Sequence, residues 1–123
     1  HYPLRRQRQM CIRDSPAWDL HSLLQDARRD VSKDLETEAL ERYFASAQVS
    51  DLTAFMRSYA GLAALNEARI LGVFARLIVR DGKPRYAGFM PRMWRHLNAN
   101  LTKPGLEGVA RWFDRHVPEG VRA

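Results

Sequence analysis

This chain has almost no cysteine and no long apolar run. Its 123 residues include one cysteine, Cys11, which excludes an internal disulfide framework and a cysteine-based metal site. No stretch approaches the roughly 18 consecutive apolar residues that a membrane-spanning helix needs, and no secretory signal pattern is present. These absences predict a cytoplasmic protein with no membrane partner.

The chain also lacks the short motifs that usually indicate catalysis. It contains no HExxH motif, and RDGKP at 80–84 lacks the glycine spacing of a phosphate-binding loop. His21, His96 and His116 do not have the spacing of metal ligands. The sequence therefore predicts no metal site and no catalytic residue within this chain.

Residues 1–15, HYPLRRQRQMCIRDS, share nothing with the rest of the chain. The run RRQRQMCIRDS resembles the translation of a common sequencing adapter, which predicts a non-native segment; the other interpretation is a natural basic arm that binds phosphate. The whole chain carries 20 Lys+Arg and 14 Asp+Glu, a net charge of +6, and residues 1–14 hold four Arg and one Asp. The remainder, 16 against 13, has a net charge of +3, too low to indicate nucleic acid as a partner.

From Pro16 onward the sequence indicates successive helices. One apolar stripe predicts a first helix that begins at Ser15–Pro16 and extends to Val31; its members are Leu20, Leu23, Leu24, Ala27 and Val31. Ser32 is suited to cap a second helix. No alternating strand pattern of useful length is present. We therefore predict an all-α fold of about five helices.

A third helix is predicted to be much longer than the others. It would begin at Ser50–Asp51 and end before Gly82, because glycine adopts the left-handed conformation that terminates helices. Further helices are predicted over 85–101, with a bend or restart at Pro91, and over 102–117. The long helix is apolar on more than one face, which predicts neighbours on several sides. They would come from a lobe that this chain contains only in part, or from a compact five-helix bundle.

Two segments carry a resemblance to a known family: LLQDARRDV (23–31) and RILGVFARLIVRDGKPRY (69–86). With them, residues 16–116 resemble the C-terminal helical region of aminoglycoside-phosphotransferase-like kinases, above all the branch of N-acetylmuramate/N-acetylglucosamine anomeric kinases. The resemblance implies that 16–123 is the C-terminal helical part of the large lobe of a protein-kinase-like phosphotransferase fold. It would be an incomplete domain with one long central helix.

The resembled family transfers the γ-phosphoryl group of ATP to a hydroxyl group, here the anomeric hydroxyl of an amino sugar from cell-wall recycling. A His-x-Asp loop supplies the base, and an Asn and a second Asp hold Mg²⁺. Those motifs precede the resembled region, and residues 15–123 do not contain them. The resemblance therefore implies that ATP and Mg²⁺ serve the full-length parent, and that this chain alone binds neither and is inactive.

The resemblance also assigns roles to residues early in the helical region. Asp19, in PAWDLHSLL (16–24), matches an aspartate that supports the catalytic loop, although His21 stands where the family has a small residue. Arg28, Arg29 and Asp30 match a substrate-facing segment, in which an arginine would hold a sugar carboxylate and Asp30 would bind sugar hydroxyls. The other interpretation of Asp19 is a first-turn acid that complements the helix dipole. For the arginines it is a solvated, charged helix end, or an arginine pair that closes ion pairs inside the lobe.

Three functions are compatible with these observations. The first is a fragment of an amino-sugar kinase that forms a wall of the sugar pocket and supports the catalytic loop. The second keeps the scaffold but phosphorylates another small alcohol or an aminoglycoside. The third is a stand-alone helical binding module for an acidic partner. The kinase interpretation predicts a small-molecule sugar as partner and self-association through exposed apolar surface.

Overall fold

Helices form the regular secondary structure of residues 16–122, the part of the chain that the computed structural model describes. The five α-helices of this part are α1 (Pro16–Leu24), α2 (Lys33–Ala47), α3 (Leu52–Val79), α4 (Met90–Leu101) and α5 (Glu107–His116), and two 3₁₀ helices cover Pro84–Phe89 and Glu119–Val121. The prediction of an all-α fold with one long central helix is confirmed. The sequencing-adapter interpretation and Cys11 concern residues outside the described range.

Side-chain caps begin two of these helices where the sequence predicts them. The Ser32 hydroxyl accepts a hydrogen bond from the Leu35 amide at 3.1 Å and begins α2. The Asp51 carboxylate accepts one from the Ala54 amide at 3.0 Å and begins α3. After α3, Gly82 has a φ of +63°, as the predicted glycine stop requires.

The first helix is shorter than predicted. α1 ends at Leu24, whereas the apolar stripe predicts a helix that continues to Val31. The Asp26 carboxylate accepts a hydrogen bond from the Arg28 amide at 2.8 Å, and this local turn competes with helical pairing of the backbone. Residues 25–32 therefore form an irregular loop between α1 and α2.

The last helix begins later than predicted, at Glu107 instead of 102–104. Gly105 has a φ of +91°, which a right-handed helix cannot contain, and its amide donates to the Glu107 carboxylate at 3.0 Å. The predicted restart at Pro91 is confirmed. A 3₁₀ helix ends at Phe89, and Pro91 lies in the first turn of α4, where its missing N–H leaves no helical hydrogen bond unmade.

The long helix α3 carries both clusters of the core. In one cluster, Ala64 and Leu71 of α3 pack against α4; the α4 members are Met93, Leu97 and Leu101. In the other cluster, Tyr59 of α3 packs against α1 and α2, which contribute Ala17, Leu24 and Leu40. Ala60 and Ala63 are also buried, and such small side chains let neighbouring helices approach the backbone of α3 closely.

Several apolar side chains of this part of the chain remain exposed. Leu65 of α3 is 64% exposed and Val79, at its end, is 84% exposed. Residues 16–122 therefore do not form a bundle that buries the long helix completely. Among these residues, no helix combines the length and the apolarity that crossing a membrane requires.

Leu97→Ala and Leu65→Ala make a matched pair of tests of this packing. Leu97 is fully buried in the core, so its truncation should lower the free energy of unfolding by about 2–5 kcal/mol. Leu65 also lies on a helix but is mostly exposed, and the same truncation there should change it by less than about 1 kcal/mol. Urea unfolding followed by circular dichroism measures both, and equal losses would contradict the assigned core.

Candidate functional site: a cavity above a buried polar network

A cavity of about 650 Å³ lies between the 25–31 loop, α2, the first half of α3, and α4 with the turn after it. Its polar lining is Gln25, Asp30, Lys33, Glu36, Thr37, Thr53, Arg57, Tyr59, Arg95, His96, Asn100 and Lys103, and its apolar lining is Val31, Leu52, Met56, Ala60, Ala99 and Pro104. Small-molecule sites typically have volumes of about 300–1,000 Å³ and combine apolar surface with a few polar groups. The cavity has the size and the mixed lining of such a site.

A network of hydrogen bonds fixes the polar wall of this cavity. The Asn100 Nδ2 donates to Glu67 Oε1 at 2.7 Å and to Gln25 Oε1 at 2.9 Å. Gln25 Nε2 donates in turn to Glu36 Oε2 at 2.8 Å, and the Tyr59 hydroxyl donates to the same Glu36 oxygen at 2.6 Å. The network joins the end of α1 to α2, α3 and α4, so all four segments hold the wall in one arrangement.

Glu67 lies at the base of this network and is fully buried. The pKa of its carboxyl is raised from 4.5 to about 8, because the effect of burial, with a smaller contribution from the nearby Glu36, outweighs the lowering by the hydrogen bond from Asn100. The second carboxyl oxygen, Oε2, has no hydrogen-bond partner among the described residues. Glu67 is therefore mostly a neutral acid at neutral pH.

Two histidines flank the network without joining it. The His21 ring lies edge-on to Trp18 and Tyr59, with ring centroids 5.5 and 6.4 Å away, and residues 16–122 offer neither ring nitrogen a partner. Burial, with a smaller effect of His96, lowers the pKa of His21 to about 4. Burial also lowers the pKa of His96, which lines the cavity. Both rings are neutral at pH 7, and His21 acts as a packing residue.

Asp19 was predicted from the family resemblance to support a catalytic loop. It lies exposed in the first turn of α1, where a carboxylate complements the helix dipole. Its carboxylate has no hydrogen-bond partner among residues 16–122. Its supporting role stays a prediction.

The structure separates the three residues predicted to bind substrate. Arg28 and Arg29 are exposed and lie 3.4 and 3.9 Å from the Asp26 carboxylate, and they do not line the cavity. Asp30 does line it, and its Oδ1 accepts a hydrogen bond from Arg92 Nε at 2.7 Å. This bond holds the pKa of Asp30 below its ordinary value. Of the three, Asp30 alone reaches the candidate site.

The buried polar network was not predicted from the sequence, although the sequence contains one signal of it. Glu67 occupies a position on the small, apolar stripe of α3 between Ala64 and Leu71, and Asn100 stands three residues after Leu97 on the buried stripe of α4. Polar residues on a buried helical stripe require partners. Reading each stripe for such interruptions would have indicated both residues.

Comparison with known proteins finds a consistent set of relatives. The chain is 53% identical over 107 residues to an N-acetylmuramate/N-acetylglucosamine kinase of Caulobacter vibrioides, a match that covers 87% of this chain and 30% of the relative. It is 29% identical over 113 residues to the kinase of the same name from Pseudomonas aeruginosa, a match that covers 86% of this chain and 33% of the relative. It is 30% identical over 87 residues to that of Neisseria meningitidis, a match that covers 66% of this chain and 26% of the relative. The chain thus spans about a third of the length of these relatives. No family model matches it. These findings agree with the resemblance of residues 16–116 to kinases of this kind.

Glu67→Gln tests the neutral carboxyl. The unfolded carboxyl ionises near its ordinary pKa of 4.5 and the folded one near 8, so its contribution to stability is complete below pH 4.5 and lost as the pH rises toward 8. His21, with an ordinary pKa of 6.5, has an opposite effect confined to lower pH. From about pH 6.5 to 8 the free energy of unfolding should therefore fall in the wild type and stay nearly level in the variant.

Urea unfolding at several pH values measures this difference. Glu41→Gln, at an exposed site of α2, is the control and should keep the wild-type slope. A slope that Glu67→Gln leaves unchanged would show that another group titrates in this range.

Proposed function

We propose that this chain is part of an ATP-dependent phosphotransferase that phosphorylates N-acetylmuramate or N-acetylglucosamine in cell-wall recycling. The observation that carries the proposal is the 53% identity over 107 residues to a kinase of that name. The chain spans 30% of that relative, so the activity belongs to a longer parent. In this proposal, residues 16–123 are the C-terminal helical part of its large lobe and the parent is cytoplasmic.

The cavity supports a role in holding the sugar. Its wall presents amide, hydroxyl and carboxylate groups from Gln25, Tyr59 and Asp30, which are the groups that bind sugar hydroxyls. Met56 and Ala60 supply apolar surface beside them, on which the C–H faces and the acetyl methyl of an N-acetylated sugar can pack. The hydrogen-bonded network beneath the wall orients these groups before a ligand arrives, which lowers the entropy lost on binding.

The residues described here do not fit a Mg²⁺ site. Asp30 and Glu36 are the carboxylates on the cavity wall. Asp30 already accepts a hydrogen bond from Arg92, and Glu36 accepts hydrogen bonds from Tyr59 and Gln25. We therefore assign ATP, Mg²⁺ and the catalytic residues to other parts of the parent. No step of the phosphoryl transfer is assigned to this chain.

The residues of the 25–31 loop take different parts in this proposal. Asp30 would accept hydrogen bonds from sugar hydroxyls, because it reaches the cavity. Arg28 and Arg29 lie within the same loop but do not line the cavity, and they would act on the substrate only at the edge of the site. Asp19 would contact the catalytic loop of the parent. Exposed apolar residues such as Leu65 would make the isolated chain self-associate.

Asp30→Asn tests the sugar-binding role. The substitution keeps the shape but removes the charge that strengthens a hydrogen bond from a sugar hydroxyl, so N-acetylglucosamine should bind roughly five- to tenfold more weakly. Asp34→Asn is the matched control, since Asp34 lies exposed in the first turn of α2 and does not line the cavity. Saturation-transfer NMR with the 123-residue chain measures both affinities. Equal binding by the two variants would contradict the assignment.

The chain alone should not transfer a phosphoryl group. With ATP, Mg²⁺ and N-acetylmuramate present, a coupled assay for ADP should show the same rate with and without the protein, because the motifs that supply base and metal ligands are outside it. The parent gene product, expressed at full length, is the positive control. A rate above background from the 123-residue chain would overturn this prediction.

A further inference from the structure

Three cations of the cavity lining have no carboxylate close by. Lys33 at the start of α2, Arg57 on α3 and Lys103 after α4 are all exposed and all line the cavity. None of them lies within 4.0 Å of a carboxylate among residues 16–122, whereas the fourth cation, Arg95, lies 3.6 Å from Asp30. Three separate segments thus bring unpaired positive charge to one cavity.

Each carboxylate of the same lining already has a partner within the protein for one of its oxygens. Asp30 is bound by Arg92, and Glu36 accepts from Tyr59 and Gln25. Outside the lining, Arg57 contributes to lowering the pKa of Glu107, but two backbone hydrogen bonds to that carboxylate and Arg111 have larger effects. The cavity lining therefore holds four cations against two carboxylates, with His96 neutral.

We infer that this cavity selects a ligand that carries a carboxylate, with Lys33, Arg57 and Lys103 as the groups that recognise the negative charge. The inference rests on the proposed function and deepens it. Of the two sugars in the relatives' name, N-acetylmuramate bears a lactyl carboxylate and N-acetylglucosamine is neutral. The family resemblance assigns that carboxylate to Arg28 and Arg29, which lie outside the cavity lining. Lys33, Arg57 and Lys103 belong to the lining and take over this role.

The arrangement suits an acidic sugar in two further respects. Several like charges around one concave surface focus the electric field and raise the local concentration of an anion. The remaining wall offers polar groups from Gln25, Tyr59 and Asn100 and an apolar surface from Met56 and Pro104, which suits the neutral part of the same molecule. Charge recognition and sugar recognition therefore occupy different parts of the lining.

The double variant Arg57→Gln/Lys103→Gln tests the inference in the 123-residue chain. Isothermal titration should show that the wild type binds N-acetylmuramate more tightly than N-acetylglucosamine, and that the advantage shrinks from about 50 mM to about 500 mM NaCl because salt screens exposed charges. In the variant, N-acetylmuramate should bind roughly three- to tenfold more weakly, as expected for two exposed ion pairs. Binding of N-acetylglucosamine should change by less than about twofold.

Arg76→Gln/Lys83→Gln is the matched control, because it removes one Arg and one Lys that are exposed but do not line the cavity. It should leave both affinities at the wild-type values, and circular dichroism melting of each variant confirms its fold. Equal binding of the two sugars, insensitive to salt and to both double variants, would overturn the inference and leave the proposed function standing. Binding of neither sugar by the wild type would overturn the inference together with the sugar-holding role proposed for the cavity.

Discussion

The hydrogen bond between Asn100 and Glu67 is the interaction on which the arrangement of α3, α4 and the cavity depends. It lies between the two helices with both side chains buried, where an amide or a carboxyl without a partner would cost about 1–3 kcal/mol. The apolar contacts of Met93 and Leu97 bring the helices together but would tolerate small shifts along their axes. The polar pair selects one register, because the bond forms only when the two side chains are opposite each other.

The same pair determines the chemical character of the cavity. Asn100 uses its second amide proton on Gln25, and Gln25 and Tyr59 together occupy one oxygen of Glu36. One oxygen of Glu36 is thereby engaged, and Arg92 separately donates to Asp30, while Lys33, Arg57 and Lys103 have no carboxylate within 4.0 Å among residues 16–122. With four cations against two carboxylates, the lining carries an excess of positive charge.

Much of the fold could be predicted from the sequence, because caps and glycine stops act over a few residues. Ser32, Asp51 and Gly82 place the boundaries of α2 and α3 by local hydrogen bonding and backbone conformation alone. The end of α1 was predicted wrongly because its apolar stripe continues past Leu24, and the competing turn depends on one side-chain bond from Asp26. The network could not be predicted as a unit, since Gln25 and Asn100 are 75 residues apart and only the tertiary fold makes them partners. The resemblance predicts substrate-binding roles for Arg28, Arg29 and Asp30 alike, and only the tertiary fold distinguishes Asp30, which lines the cavity, from the two arginines, which do not.

Arg92 has a consequence for the order in which this part of the chain folds. Its guanidinium donates to the Ala27 carbonyl at 2.6 Å and to Asp30 at 2.7 Å, contacts that span 65 and 62 residues. Closing loops of that length costs entropy that is recovered only when both ends are already held in place. We therefore expect the 25–31 loop to acquire its conformation after α4 has docked on α3. We expect the cavity to form late in folding, and a change that loosens α4 should remove the cavity before the helices melt.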